Sequence, residues 1–219
     1  DMALDSCPQS SVTAKSLNKV LKAGFRAKDL VHQILAFSRQ ADTERIHIRP
    51  AQLVKETLKI LRPTLPSTIE ISTNLDLDAG PILADPTQFQ QILMNLCTNA
   101  FHAMEETGGT LSLSLSKTTI KTDDLTHEPD VTPGDFVKLD VGDTGKGIPS
   151  DLLDKIFDPY FTTKPMGKGT GMGLAIAHGI IKSYGGLITV DSEPGKGSHF
   201  NVFLPISQNV PKTPNQKDK

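Results

Sequence analysis

No apolar run in this sequence approaches the roughly 20 residues of a membrane-spanning helix, and no secretory signal is recognisable. Strong charge of either sign is also missing: 23 basic residues against 25 acidic ones give a net charge of −2. A global basic field for nucleic acid or an anionic membrane is thereby excluded. Cysteine occurs only twice, as Cys7 and Cys97, with no metal-ligand spacing. Cys97 falls within an apolar helical pattern, so both read as reduced thiols of a cytoplasmic compartment. Tryptophan is absent and no internal repeat is visible.

What is present is ordinary for a globular chain of 219 residues, with 37% hydrophobic and 22% charged residues. Residues 1–11 resemble a helix end and a turn. From about residue 12 to 40, Leu17, Leu21, Val31 and Leu35 recur at helical spacing, predicting a long amphipathic helix with a narrow stripe that needs a partner. Residues 41–50 are polar, end in Pro50 and read as a linker. A short helix follows over 51–61, then strands at 69–76 and 81–85. The strongest helix pattern covers 86–106, with Asp85 as N-cap, Pro86 in the first turn and Gly108-Gly109 beyond its end. Strands are expected at 110–118 and 136–142, a short helix near 151–156 and a helix over 172–184. Strands at 187–193 and 198–205 close the fold, and residues 207–219 have nothing to bury. Strands and helices in this order predict an α/β fold: a two-layer sandwich of mixed sheet covered on one face by helices, preceded by the long helix.

Three stretches carry chemistry. On the helix over 86–106, Gln88, Gln91, Asn95, Asn99 and His102 form a second stripe beside the apolar one. A solvated face is one reading. Asn is a poor helix former, however, and its carbonyl oxygen is a fair Mg²⁺ ligand while its amide can reach phosphates. In "DTGKGIP", Asp143 stands at a strand end before Gly145, Gly147 and Ile148. Such a carboxylate can accept a hydrogen bond from an adenine amino group, although D-x-G turns also occur in plain surface loops. In "GKGTGMGLA", glycine occupies positions 167, 169, 171 and 173. Each glycine costs roughly 0.5–1 kcal/mol relative to alanine in regular structure, so the backbone itself is wanted there. Successive N–H groups leading into a helix make an anion site. The spacing fits neither a P-loop nor a dinucleotide fingerprint. Between these loops, Phe157 and Phe161 can anchor a lid over about 157–172, and Lys164 and Lys168 can reach phosphates or simply face solvent.

The order of these stretches resembles the catalytic ATP-binding domain of sensor histidine kinases, in the ATPase superfamily shared with gyrase, heat-shock chaperones and mismatch-repair proteins. Asn95/Asn99 match its N box, Asp143-x-Gly145-x-Gly147 its first glycine box, "FDPYFTTK" its F box and the alternating glycines its second glycine box. "LVHQILAFSRQ" further resembles the second helix of the dimerisation and phosphotransfer hairpin. The resemblance implies hairpin residues over 1–40, a linker over 41–50, an ATP-binding domain over 51–206 and a disordered tail over 207–219. It implies ATP and Mg²⁺ as ligands, with Asn99 on the metal and Asn95 and His102 near the phosphates. Asp143 would read the adenine and Ser198 would support it. Gly145, Gly147, Ile148, Phe161, Lys164, Lys168, Gly169, Thr170, Gly171, Met172, Gly173 and Leu174 would complete the nucleotide site, with His102 and Lys164 supporting the phosphates. His102 departs from the lysine or arginine often found at its position.

The family's phosphoacceptor histidine is followed by Glu or Asp on the first hairpin helix. His32, His47, His102, His178 and His199 lack that neighbour, and His127-Glu128 lies in a proline-bearing loop. The acceptor is therefore expected upstream of residue 1. The expected partners are a response-regulator receiver domain and a second copy through the hairpin, with no nucleic acid and with membrane attachment only through other parts of the parent. One alternative is a chaperone- or topoisomerase-type ATPase, which needs a glutamate four residues before the metal Asn, where Asn95 stands. Another is a non-catalytic nucleotide-sensing or scaffold module.

Overall fold

Alternation of apolar and polar residues dictates the sheet. In a computed structural model that describes residues 44–125, 130–164 and 169–207, the elements run in order as follows. They are β1 (Ile46–Ile48), α1 (Pro50–Leu61), β2 (Ile69–Leu75), β3 (Ile82–Ala84), α2 (Pro86–Ala103), β4 (Gly109–Ile120), β5 (Gly134–Asp143), α3 (Gly173–Ser183), β6 (Leu187–Glu193) and β7 (Gly197–Pro205). Three-residue to six-residue 3₁₀ turns lie at Arg62–Thr64, Thr122–Leu125 and Ser150–Lys155, the last where a short helix is expected. The long helix expected over 12–40, Lys168, His127 and the tail beyond 207 lie outside the described residues.

Five strands form a mixed sheet in the order β2-β4-β5-β7-β6, in which β2 and β4 are parallel and every other pair is antiparallel. Side chains of a strand alternate between faces. Leu111, Leu113 and Leu115 of β4, Val137, Leu139 and Val141 of β5, and Phe200, Val202 and Leu204 of β7 therefore share one face, where they are buried. The helices cover that face with Val54 and Leu61 of α1, Phe89, Ile92, Leu93, Leu96 and Cys97 of α2, and Ile176, Ile180 and Ile181 of α3. Each such side chain contributes about 1.5–3 kcal/mol by leaving water. The expected two-layer sandwich is what forms.

The same alternation puts Asp143 and Ser198, at the ends of β5 and β7, on the helix-facing side, opposite each other in register. On the other face, Phe136 joins Ile120, Leu125, Val131 and Leu187 in a small separate apolar cluster. Leu125 and Val131, from the segment between β4 and β5, pack into it.

Residues 46–48 depart from the linker expectation. "IHI" pairs antiparallel with β3, Ile46 opposite Ala84 and Ile48 opposite Ile82. Ser207 donates its N–H to the Pro81 carbonyl at 2.9 Å, and its hydroxyl lies 2.8 Å from His47 Nε2. A small ribbon thus ties both ends of the described domain together.

Candidate nucleotide-binding site

α2 begins where expected. The Asp85 carboxylate accepts from the N–H groups of Thr87 at 2.7 Å and Gln88 at 3.1 Å, a side-chain N-cap followed by Pro86. Its second stripe is not a solvated face. Gln88 accepts from the Tyr184 hydroxyl at 2.5 Å, so this residue packs α2 against the end of α3. The Asn95 Nδ2 is buried and has no hydrogen-bond partner among the described residues. Leaving a buried donor unmade costs about 1–3 kcal/mol. A Cβ on Gly173, the first residue of α3, would stand 3.5 Å from Asn95 Oδ1, so the start of α3 lies against this amide.

One turn further along α2, Asn99 Oδ1 accepts from Lys164 Nζ at 3.2 Å. Burial lowers the Lys164 pKa from its ordinary value, and the charge of Lys146 lowers it further against the pull of Glu105. His102 holds its Nδ1 3.8 Å from Glu105 Oε2, and its ring sits tilted against Phe101 with centroids 5.1 Å apart.

The first glycine loop is pinned to the end of α2. Lys146 donates its N–H to the Ala103 carbonyl at 3.1 Å, and a Cβ on Gly145 would fall 2.5 Å from that same oxygen. Gly147 has φ +68°, and a Cβ there would run into the Glu193 carbonyl. Asp143 is 4% exposed and accepts the Gly145 N–H at 2.8 Å. Burial raises its pKa above the usual carboxylate value, opposed by the Gly145 N–H, by the charge of His199 and by the N–H and hydroxyl of Ser198.

Ser198 is itself braced by a residue not singled out in the sequence. Ser192 pairs with it across the β6–β7 hairpin, with hydroxyls 3.0 Å apart. The Ser192 oxygen also accepts the Ile148 N–H at 2.8 Å. The "EPGKG" turn between the two serines was the signal for that pairing. Lys146, whose charge acts on Lys164, is a second residue of the candidate site that spacing alone did not flag.

The lid segment has more anchors than the two phenylalanines. The Phe157 ring stacks on His178 at 5.2 Å, and Phe161, Met172, Leu174 and Ile148 pack on the core. Thr170 Oγ1 accepts from the Met172 N–H at 3.4 Å. Tyr160 donates its N–H to the Gly171 carbonyl at 3.0 Å, with both residues left-handed at φ +68° and +67°. Gly169 lets two side chains pass, since a Cβ there would lie 2.7 Å from Thr162 Oγ1 and 3.0 Å from the Lys164 stem.

The structure thus brings Asn95, Asn99, Lys164, Gly169 and Gly173 together on one side, with the Asp143 loop joined to the same helix end through Ala103. Among the described residues no cluster of three or more His, Cys, Asp and Glu side chains could hold a metal alone. Among the described residues, no helix is long and apolar enough to cross a membrane.

Known proteins share this chain's sequence pattern and fold. The chain is 38% identical over 205 residues to sensor kinase CckA of Brucella abortus, covering 94% of this chain and 22% of that protein. It is 43% identical over 126 residues to sensor histidine kinase ZraS of Escherichia coli, covering 58% of this chain and 23% of ZraS. It therefore spans less than a quarter of these relatives. Among solved structures, the nucleotide-free catalytic domain of histidine kinase ThkA superposes with a TM-score of 0.60 at 27% identity, over 74% of this chain and 96% of that one. ThkA solved with the response regulator protein TrrA gives a TM-score of 0.68 at 24% identity, over 99% of this chain and 56% of that one, and shows the shared fold. With residues 84–208 matching its family description, the chain belongs to the histidine kinase-, DNA gyrase B-, and HSP90-like ATPases.

Proposed function

We propose that this chain is the ATP-binding catalytic portion of a cytoplasmic sensor histidine kinase. It would transfer the ATP γ-phosphoryl to a histidine on a dimerisation hairpin, for relay to a response-regulator aspartate. The single observation that carries this is the buried Asn95 Nδ2 beside the start of α3, which has no hydrogen-bond partner among the described residues. A donor left unmade in a protein interior calls for an acceptor, and phosphate oxygens at a helix N-terminus supply one.

In this reading Asp143 accepts from the adenine amino group and Ser198 keeps its carboxylate in place. The backbone N–H groups from Gly169 through Leu174, with Thr170 and Met172, wrap the phosphates. Lys164, Lys168 and His102 add positive or donor groups at their outer end. Gly145, Gly147, Ile148 and Phe161 shape the walls. Asn99 Oδ1 would hold Mg²⁺, which when bound neutralises charge on the transferring phosphate. The chain's own groups then orient the γ-phosphoryl in line with an imidazole nitrogen and exclude water, so positioning provides most of the acceleration.

Asn95 also weighs against an ATPase of the chaperone type. An amide cannot take a proton from an attacking water, and no carboxylate replaces it at that helix position. A receiver-domain partner is supported by the likeness to ThkA, which has been solved with TrrA. Pairing of two copies through the hairpin and attachment of the parent to a membrane belong to the same proposal.

The test incubates the chain with labelled ATP, magnesium and a separate hairpin fragment bearing a His-Glu or His-Asp helix. Acid-labile phosphohistidine on the fragment is expected, at low yield because tethering is lost. Nucleotide binding without transfer to any hairpin would favour a sensing or scaffold module. Phosphate release alone would favour the ATPase.

A further inference from the structure

Lys164 reaches Asn99 by a built route. Its own N–H is held by Thr162 Oγ1 at 3.2 Å, its stem passes Gly169 where a Cβ would lie only 3.0 Å away, and its ammonium ends 3.2 Å from Asn99 Oδ1. Gly169 is thus small for a reason besides phosphate contact, because alanine would push this stem aside. The oxygen that Lys164 engages is the one assigned to the metal. An ammonium and a Mg²⁺ ion on one amide oxygen repel each other, so they compete for it. Mg²⁺, doubly charged and bound by hard oxygen ligands, would be the stronger claimant and would drive the ammonium off by charge.

Resting on the Mg·ATP reading above, we infer that Lys164 is a resident cation on Asn99 that Mg²⁺ must displace, so that metal loading and the position of the lid's base exclude each other. In nucleotide without metal, Lys164 holds Asn99 and the lid base stays against α2. With metal, the ammonium is freed to move outward, to where a γ-phosphate, which ADP lacks, would meet it. Lys164 is a positioning residue that sets how strongly nucleotide binding depends on magnesium.

The experiment compares ADP affinity by calorimetry in magnesium and in EDTA for the wild type, Lys164→Met and Lys164→Arg. The ratio of the two affinities is the readout. Removing the competing cation should raise that ratio about tenfold in Lys164→Met, corresponding to one charge-assisted hydrogen bond. Lys164→Arg, which keeps a cation, should stay near the wild type. Hydrogen exchange of residues 161–164 should quicken when magnesium is added to wild-type protein already holding ADP, and should not respond in Lys164→Met. If Lys164 only touches phosphates, the methionine variant weakens both conditions equally and the ratio stays put, which overturns the inference alone. A wild type that binds no ADP in either condition overturns the nucleotide reading as well.

Discussion

Asp143 and Ser198 face each other across the β5–β7 ladder on the helix-covered side of the sheet, and both are almost wholly buried. A carboxylate in that place is costly, which is why burial lifts its pKa despite three nearby donors. The ionised form is the one disfavoured by folding. Above the raised pKa the folded state bears the full penalty, and below the ordinary carboxylate value, where both states are neutral, it bears none.

Asp143→Asn should therefore unfold at the same or a higher urea concentration than the wild type at pH 7, with the difference shrinking as pH falls toward 4. The same variant should bind ATP about 10–100-fold more weakly, the loss of one charge-assisted bond of roughly 1.5–3 kcal/mol. Inorganic triphosphate should lose much less. Equal losses for both ligands would mean that Asp143 does not meet the base.

Gly171 has φ +67°, and a Cβ on it would collide with the backbone of Tyr160, itself left-handed and 73% exposed. Gly171→Ala should destabilise by at least about 1–2 kcal/mol from the dihedral alone. Because the Tyr160–Gly171 bond sits in the lid, nucleotide affinity should fall along with the urea midpoint. A fully stable variant with normal affinity would show that the turn rearranges freely.

The strands of the five-stranded sheet were legible because each runs for seven or more residues with apolar side chains at alternate positions: β6 runs over the expected 187–193. α2 was legible from its cap and its apolar stripe. β1 was not, since three residues set in a polar stretch give no periodicity, and its stability comes from β3 and Ser207, far away in the chain. Candidate site residues with a local signature, such as Asp143 ahead of its glycines, could be picked out from the sequence. The Lys164–Asn99 bond spans 65 positions and the Tyr184–Gln88 bond 96, so only tertiary structure brings those partners together. Ala103 illustrates the same limit: nothing in the sequence marks this half-buried alanine of α2 as the residue whose carbonyl holds the loop of Lys146.

Cys97 is fully buried in α2, and burial pushes its thiol up to about 12. The thiolate is the reactive form, so the native thiol should be inert. In a Cys7→Ser background, labelling by an aromatic disulfide should proceed only through unfolding, slowed about 10⁴-fold for a domain with some 5 kcal/mol of stability. Rapid labelling in buffer would indicate that α2 opens on its own.

Asn95 offers a test that separates function from folding. Its Nδ2 is buried without a partner among the described residues, and leucine repeats the branching of asparagine without its polar atoms. Asn95→Leu removes the unmade donor and substitutes a better helix former, so the ligand-free protein should melt at a higher temperature, by about 1–3 kcal/mol at most. ATP affinity should fall at the same time, since the group waiting for a phosphate oxygen is gone. Differential scanning calorimetry with and without Mg·ATP measures both: the variant should start higher and shift less. A variant that melts lower and still shifts as the wild type does would place Asn95 in the scaffold of α2 and away from the nucleotide.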